Sequence, residues 1–260
     1  MLNHDTNFIS EDFSKSSRFL RRDFTEIQNM NSASKAINNY ANNSMIKFHE
    51  LLMEMLEEKY PNVISINQLL SQHSLKEATL MIDEKNIIVD LIDNINHFKR
   101  SIEHFGSIVH VIKTEEDNIN LQSEDEKYRI TSSILQMHAL KKSYVASYGK
   151  GVFLKDYDDY TEHRIKLSSN KRSTLIAISP DVIHKIKDLN CDMRIYGSDL
   201  YSFSLFLSGS IDSCILSKNR INNLLKLFII ESGAFYKEYD DYICMGTNSN
   251  VDEIASKYLK

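Results

Sequence analysis

The sequence predicts a layered α/β or α+β chain, and three observations predict it. Helix-like and strand-like patterns interleave from one end of the chain to the other. Segments with apolar residues three to four apart carry recognisable helix starts and stops. The strand-like runs are short and bounded by Gly, Asn, Asp and Ser. With 260 residues the chain is long enough to bury a sizeable core.

The elements come in this order. From Asp12 to about Asn29, Phe13, Phe19, Leu20, Phe24 and Ile27 recur at helical spacing. Asn43 or Ser44 is expected to cap a second helix, with Ile46, Leu52, Met53, Leu56 and Tyr60 near one face and Pro61 as its stop. "NVISI", "EATLMID" and "NIIVDLI" read as strands. In "GSIVHVIKTEE", Ile108, His110 and Ile112 face opposite to Val109 and Val111. The acidic stretch from Glu115 to Lys127 reads as a surface turn. "SSILQM", "SYVASYG", "GVFLKD" and "STLIAIS" are strands, and "PDVIHKIKDL" is a helix opened by Pro180. "SDLYSFSLFLSGS" is a buried helix capped by Ser198 and ended by Gly209. "IDSCIL" and "YICMGT" are strands, "INNLLKLFIIESG" is a helix, and "VDEIASKYL" is a last helix.

Composition narrows the function classes. A net charge of −5 does not suit a nucleic-acid binder, which shows a basic face. Arg18, Arg21 and Arg22 are a local basic spot on the first helix and read as a solvated face. The three cysteines, Cys191, Cys214 and Cys244, form no CxxC pair and fit small core residues in a reducing compartment. The polar, acidic N-terminus does not resemble a signal peptide, and no apolar run approaches the roughly 18 residues that span a membrane. These features suggest a cytoplasmic protein. Abundant Asn, Ile, Lys and Ser, with no Trp, fit an AT-rich coding bias rather than a function.

The stretch "NIIVDLIDNINHFKR" ends an apolar run in two acids, Asp90 and Asp93. This "VDLIDNINHF" resembles the metal motif of the inositol monophosphatase family, Asp-Pro-Ile/Leu-Asp-Gly-Thr-Thr-Asn-Phe. "MRIYGSDLYSFSLFLSGSID" is similar to that family's Arg-x-x-Gly-Ser-Ala-Ala-x-x-x-x-x-Val-Ala-x-Gly-x-x-Asp. "LFIIESGAF" resembles its Leu-Ile-Val-x-Glu-Ala-Gly-Gly, and "SYGKGVFLKD" its Gly-Gly-Gly-Ala-Phe hairpin. "RRDFTEIQNMNSASKAINNY" resembles the bacterial extragenic-suppressor branch. Order and spacing hold over almost the whole chain. The resemblance implies an α+β fold, a layered αβαβα sandwich in one domain over residues 1–260. Its N-terminal half, about 1–150, carries the metal motif, and its C-terminal half covers about 151–260. A homodimer is also implied.

Enzymes of this family hydrolyse phosphate monoesters with Mg²⁺, which neutralises phosphate charge and activates a bound water. Mg²⁺ takes hard oxygen ligands. The resemblance places Asp90, the Ile92 carbonyl and Asp93 as metal ligands, and Asn94, Gly197 and Ser198 beside the substrate. The remaining family ligands have no carboxylate counterpart here. The Glu-Glu pair aligns near Asn67, Gln68 and Leu69, an upstream Asp with Met45, and the Trp-Asp of the late helix with Arg220-Ile221. Asn222 and Asn223 nearby are neutral amides. The hydroxyl that helps activate water aligns with Ile95, which can relay no proton, and Asn96 beside it is no base. Two carboxylates can hold one Mg²⁺ weakly when a phosphate supplies the rest, but they cannot support a two-metal mechanism. No catalytic residue is assigned.

Other polar residues have simpler readings. His97, His104 and His110 lack the Cys partners and spacing of a zinc site. Asp156, Asp158 and Asp159 suit a solvated loop, and Lys35 an exposed position. The resemblance implies two alternative functions. In the first, the chain has an eroded Mg site and acts through protein partners, as the extragenic-suppressor branch does with RNA polymerase and elongation factors. In the second, it is a Mg-dependent phosphatase of inositol-1-phosphate or a related sugar phosphate.

Overall fold

The computed structural model describes residues 4–30, 34–60, 63–65, 86–114, 128–157, 161–167, 175–186, 192–217 and 222–247, with positions 251, 254 and 256. The expected strand at "EATLMID", the acidic stretch from Glu115 to Lys127 and most of the last helix lie outside them. Val251, Ile254 and Ser256 are helical.

Two long helices open the chain, α1 (His4–Asn29) and α2 (Ser34–Glu57). Both start earlier than apolar spacing suggests. In the first turns of α1 the face toward the sheet is hydroxyl-bearing rather than apolar. Thr6 is buried and its hydroxyl lies 2.6 Å from that of Ser132. Ser44 does not cap α2. It lies mid-helix, buried, its hydroxyl donating to the Tyr40 carbonyl. Ala41, Ser44, Phe48 and Leu52 form one buried stripe against α1, and the small residues at its start hide the periodicity.

Next in the chain is a seven-stranded sheet, in the order β1-β2-β3-β4-β5-β6-β7. Its strands are β1 (Val63–Ser65), β2 (Asn86–Asp93), β3 (Gly106–Thr114), β4 (Tyr128–Met137), β5 (Lys142–Ser147), β6 (Gly151–Asp156) and β7 (Thr161–Ile165). β1 runs parallel to β2 and every other pair is antiparallel. A five-residue helix, α3 (Ile95–Lys99), joins the end of β2 to the approach to β3.

The second half builds β8 (Leu175–Ile178), β9 (Asp192–Arg194), α4 (Asp199–Leu207), β10 (Ser213–Ser217), α5 (Asn222–Ser232), β11 (Phe235–Glu238) and β12 (Tyr242–Gly246). Its strands form a five-stranded sheet in the order β11-β12-β10-β8-β9. The helix expected from Pro180 is instead a single 3₁₀ segment, Pro180–Lys185, ending in extended Ile186. Only Val182 of that segment is buried, so no apolar stripe exists to lengthen it.

The core explains the layering. Alternation on β3 sends Val109 and Val111 to α1 and α2, and Ile108 to the opposite face. Ile134 and Val145 join the first face, and Leu135, Tyr144 and Ala146 the second. The second face packs against Leu200, Phe203 and Phe206 of α4 and Leu225 and Phe228 of α5, which reach Cys214, Leu216 and Met245 of the small sheet. The outer face of that sheet buries Ile176, Ile215 and Cys244 against Val182 and Val251. The result is an αβαβα sandwich. Cys214 and Cys244 are buried thiols. Among the described residues, no helix is long and apolar enough to cross a membrane.

Candidate functional site

The acid-bearing end of β2 is irregular. Asp90 pairs with Ile108 and Asp93 with Gly106, so three steps on β2 oppose two on β3. That bulge re-aims the backbone where the two acids and Ile92 sit, a feature common beside functional sites.

The next residue, Asn94, is left-handed, with φ 61° and ψ 67°, a conformation Asn tolerates better than most residues. Both ends of its side chain are engaged. Its Oδ1 accepts from the His97 backbone N–H at 3.3 Å, capping α3. Its Nδ2 donates to the Gly197 carbonyl. One side chain therefore clamps the turn after the acids to the Gly197–Ser198 segment, about a hundred residues later. The sequence places these segments in one site by resemblance, and the structure brings them into contact.

Gly197 is needed as glycine. It holds φ 76°, and a Cβ there would sit 3.1 Å from His97 Nε2. Ser198 is buried and caps α4, its Oγ accepting from the Tyr201 N–H at 3.0 Å. Asp199, also buried, accepts from the Ser179 hydroxyl, which in turn accepts from the Ser217 N–H at 2.9 Å.

A shelf of rings borders the clamp. His97 Nδ1 lies 2.7 Å from the His104 carbonyl oxygen. The His104 ring stacks on Tyr201 at 3.7 Å between centroids, and Tyr196 meets both edge-on. Burial lowers the His104 pKa, with His97 adding to the effect, and burial raises that of Tyr201. Sequence reasoning considers His97 and His104 only as zinc ligands and does not single out Tyr196 or Tyr201. Aromatic residues flanking a Gly-Ser step are the available signal.

The other expected positions divide. Met45 is half-buried on α2 and packs against the helical core. Ile95 is half-buried and Asn96 exposed. Arg18 and Arg22 are exposed, but Arg21 is half-buried, so the basic spot is not one solvated face. Arg22 pairs with buried Asp23 at 2.8 Å. His110 is buried in the large sheet. Asn67, Gln68, Leu69, Asp158, Asp159, Arg220 and Ile221 lie outside the described residues. Among the described residues, no group of three or more His, Cys, Asp or Glu could hold a metal.

Two further motif segments are physically joined. The Glu231 carboxylate near the end of α5 accepts from the Gly149 N–H at 2.6 Å and the Gly151 N–H at 2.7 Å, one on each oxygen. The hairpin between β5 and β6 is thereby tied to α5.

The sequence matches no family model and no curated protein. Solved structures do match. The extragenic suppressor protein SuhB from Bartonella henselae superposes with a TM-score of 0.68 over 99% of both chains at 14% identity. Mycobacterium tuberculosis SuhB gives 0.68 at 14% identity, over 96% of this chain and 93% of that one. Inositol monophosphatase II from Staphylococcus aureus gives 0.64 at 14% identity, over 95% and 94%. The fold thus defines a class, the layered αβαβα sandwich of these solved structures. Within that class the chain has the fold shared by SuhB and the inositol monophosphatases.

Proposed function

We propose that the chain is an inositol monophosphatase-family protein that retains a phosphate-ester cleft with a reduced metal site, turns substrate over weakly or not at all, and acts through a protein partner. The observation that carries this reading is the clamp from Asn94 to Gly197. It holds together the segments that would frame a sugar phosphate, while the positions that the resemblance gives to a water-activating hydroxyl and an upstream carboxylate are Ile95 and, on α2, Met45. An alkyl group and a thioether cannot replace a hydroxyl and a carboxylate at Mg²⁺.

Asp90, the Ile92 carbonyl and Asp93 are the hard-oxygen donors for the family's metal. This donor set fits one Mg²⁺ completed by a phosphate and does not fit two. When bound, Mg²⁺ would supply charge neutralisation and an activated water. The chain's own part is to position the ester between the Asn94 turn and Gly197–Ser198.

Likeness to the extragenic-suppressor branch supports RNA polymerase or its elongation factors as the partner, a cytoplasmic setting and a homodimer. The second reading, a Mg-dependent phosphatase of inositol-1-phosphate or a related ester, is favoured by the bulge at Asp90 to Asp93.

Calorimetric titration of Mg²⁺ and Mn²⁺, with and without inositol-1-phosphate, tests the cleft. Metal binding that strengthens with the phosphate and vanishes in Asp90→Asn, with negligible turnover, is expected. Turnover at an enzyme-like rate, lost in Asp90→Asn, would favour the second reading. Absence of both metal and phosphate binding would remove the cleft from the proposal. Native co-purification, read by recovery of polymerase subunits or elongation factors, and size-exclusion mass test the partner and the dimer.

A further inference from the structure

We propose that His97 is a phosphate-recognising residue of this cleft, presenting Nε2 to a phosphate oxygen of the ligand. The inference rests on reading the cleft as a phosphate-ester site. It begins with a tautomer. A carbonyl oxygen only accepts, so the 2.7 Å contact with His104 requires the hydrogen on His97 Nδ1. In the neutral ring, Nε2 then carries the lone pair. In the imidazolium it carries a second N–H.

Placement comes next. Nε2 would be 3.1 Å from a Cβ at Gly197, so this edge of the ring uses space that the glycine leaves open. It stands between the Asn94 turn and the start of α4, the two segments that would frame the ligand. Among the described residues Nε2 has no hydrogen-bond partner, and the ring is only half-buried. The ring is also held. The backbone of His97 is capped by Asn94, its Nδ1 is tied to His104, and the His104 ring is stacked on Tyr201.

The chemistry suits a phosphate monoester. An imidazole and a phosphate monoester can each donate or accept a hydrogen bond, according to which of them holds the proton. One proton shared between them completes a hydrogen bond in either direction: imidazolium to dianion, or monoanion to imidazole. In the imidazolium form that bond sets a donor and a positive charge against the ligand's negative charge. It also supplies polar contact that Ile95, on the same short helix, cannot give.

The test is a substitution pair read by calorimetry on the full chain, with inositol-1-phosphate and inorganic phosphate as probes. His97→Asn keeps a donor near the Nδ1 position and deletes the Nε2 contact, whereas His97→Gln carries an amide out toward Nε2. Loss of a hydrogen bond to a charged group predicts weakening by about tenfold or more in His97→Asn. Partial recovery is expected in His97→Gln, and the circular dichroism spectrum should match that of the unmodified chain in both. The His97 ring resonances of ¹⁵N-histidine-labelled protein should also shift on addition of phosphate. Unchanged affinity in a folded His97→Asn, or ring resonances that do not move while the ligand binds, would overturn the role of His97 and leave the cleft reading intact. No binding of either probe to the unmodified chain would overturn both.

Discussion

Mild acid should destabilise this fold, because two histidines are buried as neutral rings in or beside the large sheet. His138 lies among Phe13, Phe48 and Phe105, with Nδ1 2.9 Å from the Ser17 hydroxyl and Nε2 2.7 Å from that of Ser107. His110 has Nδ1 2.7 Å from the Ser133 hydroxyl. Burial pushes both pKa values down to about 3, with Arg21 adding to the effect at His138. In the unfolded chain each returns to about 6.5. The unfolded state therefore binds the extra protons, so stability is fully present above about pH 6.5 and is lost as pH falls from there toward 3. At pH 5 each ring costs about 2 kcal/mol, roughly 1.5 pH units at 1.36 kcal/mol each, or about 4 kcal/mol for the pair. That figure hardly depends on the folded-state value, because pH 5 lies well above it. It is a large share of the roughly 5–15 kcal/mol typical of a folded domain. Urea unfolding at pH 7 and pH 5 should show the drop, and His138→Gln should remove about half of it. Equal stability at the two pH values, or an unchanged pH dependence in His138→Gln, would refute the reasoning.

Three further outcomes are expected. Asn94→Ala loses the cap and the bond to Gly197 and places a Cβ residue without local hydrogen bonding at φ 61°. It should cost about 1–2 kcal/mol in urea unfolding, with Asn94→Gly costing less because glycine accepts that conformation. Glu231→Gln keeps one acceptor for two N–H groups and should lose about 1–3 kcal/mol, with faster hydrogen exchange at Gly149 and Gly151. Gly197→Ala combines a strained φ of 76° with a 3.1 Å approach to His97, and should lower the melting temperature and disturb the His97 ring resonances.

Legibility in the sequence tracks the physics of burial. β3, β4, β5 and α4 have two-sided or stripe-like apolar patterns, and each lies where spacing puts it. Three unforeseen strands, β7, β9 and β11, are all at sheet edges, where exposed residues such as Glu162, His163 and Lys237 break the alternation. α3 has five residues, too few to show a period. The early turns of α1 and α2 are hidden because Thr6, Ser10, Ala41 and Ser44 fill their buried face. At the site, Asn94, Gly197 and Ser198 can be named from their motifs. Their joining by one amide cannot, since a contact spanning about a hundred residues leaves no local pattern.

The clamps also change what the motif matches mean. Ser198 caps a helix, Gly197 makes room for a histidine, and Glu231 ties a hairpin to α5. Each is a local structural role that operates whether or not a phosphate is ever cleaved. Matching the family at these positions is therefore evidence for the fold and says little about catalysis. The chemical question rests on fewer groups. They are Asp90 and Asp93, which the resemblance offers to a metal, and His97, which has one nitrogen committed to structure and the other without a protein partner among the described residues. If the cleft has kept a ligand while losing turnover, variants at Asp90, Asp93 and His97 should change binding of metal or phosphate, and His97→Asn should do so with little effect on unfolding. Variants at Glu231, which ties the hairpin to α5, should do the reverse.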